Sequence, residues 1–497
     1  MIRWLRRLAL AVGFPLVLGA TFGTCFVTLR LVQARWFHAP VASERTEQKQ
    51  AYLDALPTVD PSRAPSIVVV FFDDLGWGDL SVQGNPLIHT PRIDRAAAEG
   101  LRFTHFYSAS PVCSPSRASL LTGRYPPRAG VGTHVFFPRE SGLGLLRLAF
   151  GLANELPRDE ILLPEILNAA GYATGMVGKW HLGGEPGHRP MDFGFDRYLG
   201  VLWSNDMWPL HLYEGDEILE SDMRGAGSFF GEHDEEDAPA GGIDQSRLTA
   251  RYTEAAVAFI AEHRDEPFFL YVAHTSPHVP HYPSREFAGR SEGGVYGDVV
   301  EDLDRSTGAI LDALEEHGVA DDTLVFITSD NGADYAGSPG ALRGRKGQTH
   351  EGGQRVPMIV RWPGRIAAGG TTDAMAMNID LLPTVLGELG LPLPEDREID
   401  GRDLGPLLAA GGRGESPHRE LFYFPQYGAL PEAVRDERFK YRLDTGERFR
   451  RRAHLARMDA GFEAHDLRHK HPKTAARLAA ALEAKRAEFD ANPRGWR

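Results

Sequence analysis

Short, continuous apolar runs dominate the hydrophobic pattern of this chain. Residues 67–72 read Ile-Val-Val-Val-Phe-Phe, without a single polar position. A run of this length and composition predicts a strand that is buried on both faces, as in a parallel sheet. Mainly apolar segments at residues 172–177, 268–272 and 324–328 predict three more strands.

Helical patterns lie between these runs. Periodic apolar positions predict helices over residues 163–170, 245–263 and 296–317. Thr90-Pro91 predicts the start of another helix, which ends at Gly100. Strands that alternate with helices predict an α/β fold, with a large, mostly parallel sheet flanked by helices on both faces.

The pattern changes after about residue 415. Residues 421–424 and 439–443 predict short antiparallel strands, and residues 474–492 predict a helix rich in Ala, Lys, Arg and Glu. We therefore expect a main domain over residues 66–414 and a smaller C-terminal α+β subdomain over residues 415–497.

The N-terminus has the pattern of a membrane segment. Three arginines precede residues 8–29, a stretch of 22 residues without a charged side chain. As a helix this stretch is about 33 Å long, enough to span a bilayer. The basic flank favours a cytoplasmic N-terminus, so the rest of the chain is expected outside the cytoplasm, periplasmic or extracellular. We predict an anchor or signal segment over residues 1–31 and a tether over residues 32–65; cleavage of the segment would release a secreted protein.

Polar residues follow the carboxyl ends of the four predicted strands, the edge at which open α/β sheets bind ligands. Each of these residues alone could belong to an ordinary turn or solvated loop, but all of them share one edge. They are Asp73 and Asp74 after the first strand, Lys179 and His181 after the second, His278 after the third, and Asp330 and Asn331 after the fourth.

Cys113 lies just before another short helix, predicted over residues 116–121 with Pro115 near its first turn and Gly123 at its end. The free N–H groups and the dipole of a helix N-terminus favour an anion there, and Arg117 lies one turn further on. A buried, inert thiol is the plain alternative. The second cysteine, Cys25, is in the apolar N-terminal segment, so no disulfide is expected within the folded part.

The composition narrows the function only slightly. The net charge of −14 argues against a general nucleic-acid-binding protein. It does not exclude an anionic substrate, because a small basic pocket can lie within an acidic surface.

Taken in order, the motifs of this chain resemble those of type I sulfatases of the arylsulfatase family, within the alkaline phosphatase superfamily. The resemblance runs from about residue 67 to residue 443 and implies an alkaline-phosphatase-like fold. The motifs that carry it are Asp73-Asp74, Cys113-Ser-Pro-Ser-Arg117, Leu121-Thr-Gly-Arg124, Gly178-Lys-Trp-His-Leu-Gly183, Ser329-Asp-Asn-Gly332, and Lys346 with Glu351-Gly-Gly353.

The resemblance implies that a separate formylglycine-generating enzyme oxidises Cys113 to Cα-formylglycine. It also implies a metal site whose ligands are Asp73, Asp74, Asp330, Asn331 and the converted residue 113. Carboxylate and amide oxygens form a hard ligand set that suits Ca²⁺, with Mg²⁺ as a weaker alternative.

The resemblance assigns catalytic roles as well. The hydrate of the aldehyde attacks sulfur. The sulfate oxygens are bound by Arg117, Lys179 and Lys346, and Ser204 also contacts sulfate. His278, alone or together with Lys346, protonates the leaving oxygen. His181 is the base for the second hydroxyl, which expels sulfate. His274 and His281 are close to His278 in sequence and leave its assignment open.

The expected function is hydrolysis of sulfate monoesters of a small molecule or sugar. One alternative is a phosphonate monoester or phosphodiester hydrolase that uses the same residue 113. Another is a non-catalytic, membrane-anchored binding protein whose Cys113 is never converted.

An unusually apolar stretch at residues 143–152 departs from the family pattern. It predicts either a buried helix, or a segment that lines the pocket mouth or dips into a bilayer and so favours lipophilic sulfate esters.

Overall fold

The computed structural model describes residues 43–132, 134–222, 242–444, 452–458 and 463–497. The predicted anchor over residues 1–31 lies outside these ranges. Within them, none of the helices combines the length and the apolar character needed to cross a bilayer.

The strands lie in three sheets. They are β1 (Ser66–Phe72), β2 (Leu101–Phe103), β3 (Phe106–Tyr107), β4 (Ala173–Lys179), β5 (Arg197–Val201), β6 (Leu210–Glu214), β7 (Glu217–Asp222), β8 (Phe268–Ala273), β9 (Thr323–Ser329), β10 (Met358–Arg361), β11 (Gly370–Thr372), β12 (Ala376–Met377), β13 (Leu421–Tyr423), β14 (Ala433–Arg435), β15 (Phe439–Asp444) and β16 (Arg452–Arg457).

The helices pack around these sheets. They are α1 (Ser43–Asp54), α2 (Pro91–Glu99), α3 (Cys113–Thr122), α4 (Gly142–Ala149), α5 (Leu163–Ala169), α6 (Leu248–Glu262), α7 (Gly294–Glu316), α8 (Glu351–Gln354), α9 (Leu381–Leu389), α10 (Gly405–Ala409) and α11 (Pro472–Ala491).

The large sheet has the strand order β11-β2-β10-β9-β1-β8-β4-β5-β6-β7. Its five central strands, from β9 to β5, are all parallel. Four of them were predicted from the sequence, and β5 was not. Antiparallel strands flank this centre, because β10 pairs with β9 on one side and β6 with β5 on the other. The α/β class with a large central sheet is therefore confirmed.

The hydrophobic core lies on both faces of the sheet. Ile67, Val69 and Phe71 of β1 pack into one apolar cluster, whereas Val68 and Val70 pack into another on the opposite face. Side chains alternate between the faces of a strand, so β1 needs apolar residues at every position.

The stretch predicted as a tether contains a helix that sequence patterning missed. Helix α1 is anchored because Lys49 Nζ lies 2.6 Å from the Glu165 carboxylate and also donates to the carbonyl of Glu160. The hydroxyl of Tyr52 donates to the carbonyl of Pro392 at 2.7 Å. Residues 43–54 are therefore packed on the main domain rather than forming a free spacer.

The C-terminal part forms an antiparallel sheet in the order β13-β14-β15-β16, covered by α11. A buried ionic cluster joins it to the rest of the chain: Glu351, at the start of α8, accepts a hydrogen bond from Lys440 Nζ at 3.0 Å and one from the Tyr107 hydroxyl at 2.7 Å. Strands β14 and β16 were not predicted, since their sequences are short and rich in charged residues.

Candidate active site

The carboxyl ends of β1, β4 and β9 meet at one edge of the sheet, as predicted. Strands β1 and β9 run in register, so Phe72 pairs with Ser329 and the residues that follow both strands become neighbours. Asp74 and His181 adopt left-handed backbone conformations, with φ of 69° and 60°. Such a conformation is uncommon outside glycine, and it turns the chain sharply after each strand.

Helix α3 brings Cys113 to this edge. The helix begins at Cys113 itself, three residues earlier than predicted, because Pro115 fits within the first turn. Cys113 is 1% exposed, and its thiol lies 3.4 Å from Oδ1 of Asp73. Burial and the nearby carboxylate of Asp73 raise the pKa of the thiol well above its usual value. An unmodified Cys113 is therefore a protonated, weakly nucleophilic thiol.

The carboxylates form a connected cluster. The backbone N–H of Asp74 donates to Oδ1 of Asp330 at 3.1 Å, and Nδ2 of Asn331 donates to Oδ1 of Asp74 at 2.7 Å. All of these side chains are fully or almost fully buried. Burial and the negative charge of Asp73 raise the pKa of Asp330 to about 7.

Cations surround the carboxylates. Lys179 Nζ lies 2.5 Å from Oδ2 of Asp73, and Lys346 Nζ lies 2.7 Å from Oδ2 of Asp74. Arg117 bridges two acids, 3.0 Å from Oδ2 of Asp330 and 3.4 Å from Oδ2 of Asp73. These contacts neutralise carboxylates that would otherwise repel one another strongly.

The pKa shifts follow from this arrangement. Burial alone would raise the pKa of Asp73, but the positive charges of Lys179 and Arg117 hold it well below its usual value. Burial opposes the charge of Lys346, yet the carboxylate of Asp74 raises the pKa of this ammonium well above its usual value. Both groups are therefore ionised at neutral pH.

The predicted serine lies beside one of the cations. Lys179 Nζ donates to Oγ of Ser204 at 2.9 Å, and Ser204 is fully buried. The carbonyl of Lys179 accepts a hydrogen bond from Arg117 at 2.7 Å. Strand β4, the loop after β5 and helix α3 are thus linked through Lys179.

Sequence analysis left open which of His274, His278 and His281 acts at the site, and the structure distinguishes them by their contacts. His278 Nε2 lies 3.6 Å from Oδ2 of Asp74, so His278 is at the site. His274 is buried against the ring of Phe72 and contacts Ser306, away from the carboxylates. The ring of His281 packs edge-on against Tyr296 at 5.4 Å.

His181 has a defined tautomer. Its Nε2 is 3.0 Å from the carbonyl of Phe136, which can only accept, so Nε2 carries the proton and Nδ1 carries the lone pair. Nδ1 is buried and has no hydrogen-bond partner within the described part of the chain. Burial, together with the positive charge of Lys179, lowers the pKa of His181 well below its usual value, so the ring is neutral.

Part of this cluster has the donor set of a metal site. Ligand atoms of Asp73, Asp74, Cys113 and His278 all lie within 4.8 Å of one another. Oδ1 of Asn331 is buried without a hydrogen-bond partner among the described residues. Because an orphaned amide oxygen beside paired carboxylates is costly, the donors present fit a hard divalent cation.

Sequence analysis missed Asn378, which holds α3 in place. Its Oδ1 accepts from the N–H of Ala109 at 3.0 Å, and its Nδ2 donates to the carbonyl of Ser116 at 3.1 Å. Asn378 lies more than 250 residues from α3 in sequence, and no local pattern marks it.

The apolar stretch at residues 143–152 forms α4 and the turn after it. Gly144 and Ala149 are buried, whereas Leu146, Phe150 and Leu152 are 37%, 65% and 50% exposed. The prediction of a buried helix is therefore only half right. The exposed side chains leave open the second interpretation, that this segment lines the pocket mouth or dips into a bilayer.

Two family models match the chain. The model described as sulfatase matches residues 65–391, and one described as N-sulphoglucosamine sulphohydrolase, C-terminal, matches residues 345–476. The chain belongs to the sulfatase family. This sulfatase is therefore a sulfuric ester hydrolase that cleaves sulfate monoesters, and the two alternatives raised from the sequence are not favoured.

The similarity to individual relatives supports the assignment to the sulfatase family. The sulfatase is 41% identical over 382 residues to N-acetylgalactosamine-6-sulfatase of Mus musculus, covering 72% of this chain and 68% of the relative. It is 39% identical over 404 residues to arylsulfatase A of Homo sapiens, covering 75% and 72%. A solved structure from work on glycosaminoglycan metabolism in Bacteroides thetaiotaomicron superposes with a TM-score of 0.72 at 27% identity, covering 86% of this chain and 100% of that one.

Proposed function

We propose that this sulfatase is a calcium-dependent, formylglycine-bearing enzyme that removes sulfate from sugars, in particular from a 6-O-sulfated amino sugar. The observation that carries the proposal is the ring of cations around the carboxylates next to residue 113, formed by the fully buried Arg117 and Lys179 and the half-buried Lys346. The sugar assignment is supported by the relatives, since one is named for N-acetylgalactosamine 6-sulfate and another comes from glycosaminoglycan metabolism.

Asp73, Asp74, Asp330 and Asn331 would hold the calcium ion, with an oxygen of converted residue 113. Bound there, calcium would offset the carboxylate charge and make a sulfate oxygen more electron-poor. Mg²⁺ is the less suitable ion, because it requires near-ideal octahedral geometry.

Formylglycine would supply a pair of geminal hydroxyls, one to attack sulfur and one whose later deprotonation releases sulfate. The chain's own side chains bind and orient the ester. Lys179 and Lys346 are placed to contact sulfate oxygens, and Ser204, 2.9 Å from Lys179 Nζ, fixes the direction of that ammonium. Arg117 keeps the Asp330 carboxylate in place, because two nitrogens of its guanidinium group donate to Oδ2 of Asp330, at 3.2 and 3.0 Å.

The two histidines would move protons at opposite ends of the reaction. Nδ1–H of His278 donates to the carbonyl of Val279 at 2.5 Å, so the transferable proton is the one on Nε2 of its imidazolium form. That proton would go to the leaving oxygen. His181 is neutral, and the lone pair on its Nδ1 would accept the proton of the second hydroxyl.

The experiment combines mass spectrometry with kinetics. The peptide that contains residue 113 is first measured for conversion of thiol to aldehyde. The converted protein is then treated with a chelator, reloaded with Ca²⁺ or Mg²⁺, and assayed on a 6-O-sulfated N-acetylhexosamine, with C113A as the inactive control. Sulfate release that requires conversion and is restored by Ca²⁺ supports the proposal; release by C113A contradicts it.

We also propose that residues 8–29 anchor the protein in a membrane, with the catalytic domain outside the cytoplasm. The supporting observation is the uncharged stretch behind Arg3, Arg6 and Arg7. Membrane fractions washed with alkaline carbonate should retain the full chain but lose a variant that lacks residues 1–31. Retention of both forms would contradict the anchor.

A further inference from the structure

The mouth of the site is formed partly by the C-terminal subdomain. The N–H of Gly347 donates to the carbonyl of Pro111 at 2.8 Å, so the loop that carries Lys346 lies against the residues before Cys113. A Cβ atom on Gly347 would lie only 2.6 Å from Oε1 of Gln426. The loop that carries Gln426 and Tyr427 therefore reaches the neighbour of Lys346.

A second loop borders the mouth near the start of α3. The N–H of Phe136 donates to Oγ of Ser114 at 3.1 Å, and the carbonyl of Phe136 accepts from His181. His134, two residues earlier, packs edge-on against Tyr427, with ring centroids 5.3 Å apart and an interplanar angle of 73°. The contact between His134 and Tyr427 joins the two loops that flank residues 113 and 114.

The leaving group of a sulfate ester must lie at this mouth. Arg117, Lys179 and Ser204 are fully buried, so the inner end of the site is closed and the alcohol part of the substrate has to extend outward. Tyr427 is 75% exposed although it is large and aromatic. An aromatic ring held by one edge contact, with its other surface open, offers a rigid apolar plane to a ligand ring.

We propose that Tyr427, held by the edge contact with His134, is a specificity-determining residue that packs against the pyranose ring of the sulfated sugar. The inference rests on the proposed sugar substrate and adds the residue that recognises it. An edge-on partner fixes the plane of the Tyr427 ring before substrate arrives, so less side-chain freedom is lost on binding.

The surroundings favour a sugar over a lipid. The loop after β9 presents Tyr335, 87% exposed, with the Arg345 guanidinium 6.0 Å from its ring. This loop lies beside Lys346, whose N–H donates to the carbonyl of Ala333 at 2.9 Å. The exposed aromatic rings near Lys346 thus lie among polar groups, as a ligand ring with hydroxyl substituents requires. A lipid tail would instead need a contiguous apolar surface, and the exposed Phe150 and Leu152 lie on a separate segment, in the turn after α4.

Three variants test the proposal: Y427A, Y427F and F150A. Each is assayed on a 6-O-sulfated N-acetylhexosamine, and inhibition by inorganic sulfate is measured because sulfate reports the anion site alone. We expect Y427A to lower kcat/KM about tenfold, mainly through KM, the size of one lost aromatic contact. The sulfate inhibition constant should stay within about twofold, Y427F should keep most of the activity, and F150A should match the wild type.

Several outcomes would overturn the proposal. They are an unchanged kcat/KM in Y427A, an equal loss of sulfate inhibition, which would indicate a distorted anion site, and a loss in F150A as large as in Y427A. Converted wild-type enzyme that releases no sulfate from the sugar would reject the proposed substrate class, and the role of Tyr427 with it. Active wild type with an unaffected Y427A would reject the role of Tyr427 alone.

Discussion

The ammonium group of Lys179 lies 2.5 Å from Oδ2 of Asp73, and neither side chain is exposed to solvent. The pair joins the ends of β1 and β4. Each partner removes the cost of burying the other, because an isolated charge in the interior loses several kcal/mol of hydration.

Replacing Lys179 with methionine should therefore affect both stability and catalysis. Of its two salt bridges, Asp73 would keep the one with Arg117 at 3.4 Å, and we expect the free energy of unfolding to fall by about 3 kcal/mol. Loss of a sulfate-binding cation should lower kcat/KM at least about 100-fold. Denaturant unfolding and sulfate release measure the two effects. The exposed Lys473 gives the matched control K473M, and wild-type kcat/KM in K179M would contradict the assignment.

Removal of metal should leave the chain folded but inactive. Arg117, Lys179 and Lys346 lie within salt-bridge distance of the carboxylates of Asp73, Asp74 and Asp330, so these acids do not depend on an ion alone for neutralisation. We expect chelator-treated protein to keep its far-UV circular dichroism spectrum. Under the proposed function, added Ca²⁺ should raise the melting temperature, because the proposed site is assembled only in the folded state. If the protein unfolds on chelation at room temperature, the side-chain cations alone do not neutralise the buried carboxylates sufficiently to keep the chain folded.

Glu160 should be essential for stability and not for chemistry. Its carboxylate is fully buried, 2.6 Å from Arg124 and 2.7 Å from Arg494, and Arg124 also stacks 5.1 Å from the ring of Trp496. Arg124 of the Leu-Thr-Gly-Arg motif thus ties the C-terminus to the main domain. We expect E160Q to lower the free energy of unfolding by about 3 kcal/mol, because it removes the salt bridge of the buried Arg124, whereas Arg494 keeps its 2.8 Å contact with Asp159.

The control for E160Q is E398Q. Glu398 pairs with Arg497 at the surface, where an ion pair contributes little. Thermal melts of both variants, with kcat/KM at a temperature where both are folded, separate stability from catalysis. Equal melting temperatures would refute the role given to Glu160.

The titration of the Asp304 carboxyl group should change the free energy of unfolding between about pH 4 and pH 6. Its buried carboxylate accepts the N–H groups of Arg92 at 3.1 Å and Ile93 at 2.7 Å at the start of α2. Burial, with the negative charge of Asp94, raises its pKa to about 6. The folded state therefore binds the proton more tightly than the unfolded state, and the contribution of Asp304 to stability falls as pH rises through this window.

The variant D304N removes this titration. Relative to D304N, the wild type should gain up to about 2 kcal/mol of stability when the pH is lowered from 7 to 4. Urea unfolding of both proteins across this range measures the difference. If the difference in the free energy of unfolding stays constant with pH, or has the opposite sign, the pKa of Asp304 is not raised in the folded state.

The sequence predicted the central sheet and the clustering of polar side chains at its edge, because both depend on local signals. Strand β1 is an unbroken apolar run, and parallel pairing places the residues after β1 and β9 at one edge, so the proximity of Asp74 and Asp330 follows from topology. Lys346 was assigned from the family motif, since it lies on a loop far from any strand end. Its contact with Asp74 depends on tertiary packing.

Long-range contacts with no local pattern were missed. Helix α1 is polar along most of its length, so nothing in its sequence indicated that Lys49 would pair with Glu165. Asn378 and Tyr427 reach the site from distant parts of the chain. Their positions are set by packing between elements rather than by periodicity, which single-sequence patterns do not record.

The burial of α3 imposes an order of events on the making of this protein. Every residue of the helix is buried, and Asn378 fixes its backbone from the far side of the chain. Any enzyme that modifies the Cys113 thiol has to reach it while the nascent polypeptide is still extended. Under the proposed function, the fraction of active molecules in a preparation is therefore set before the chain folds, and treatment of already folded protein with the converting enzyme should not increase it.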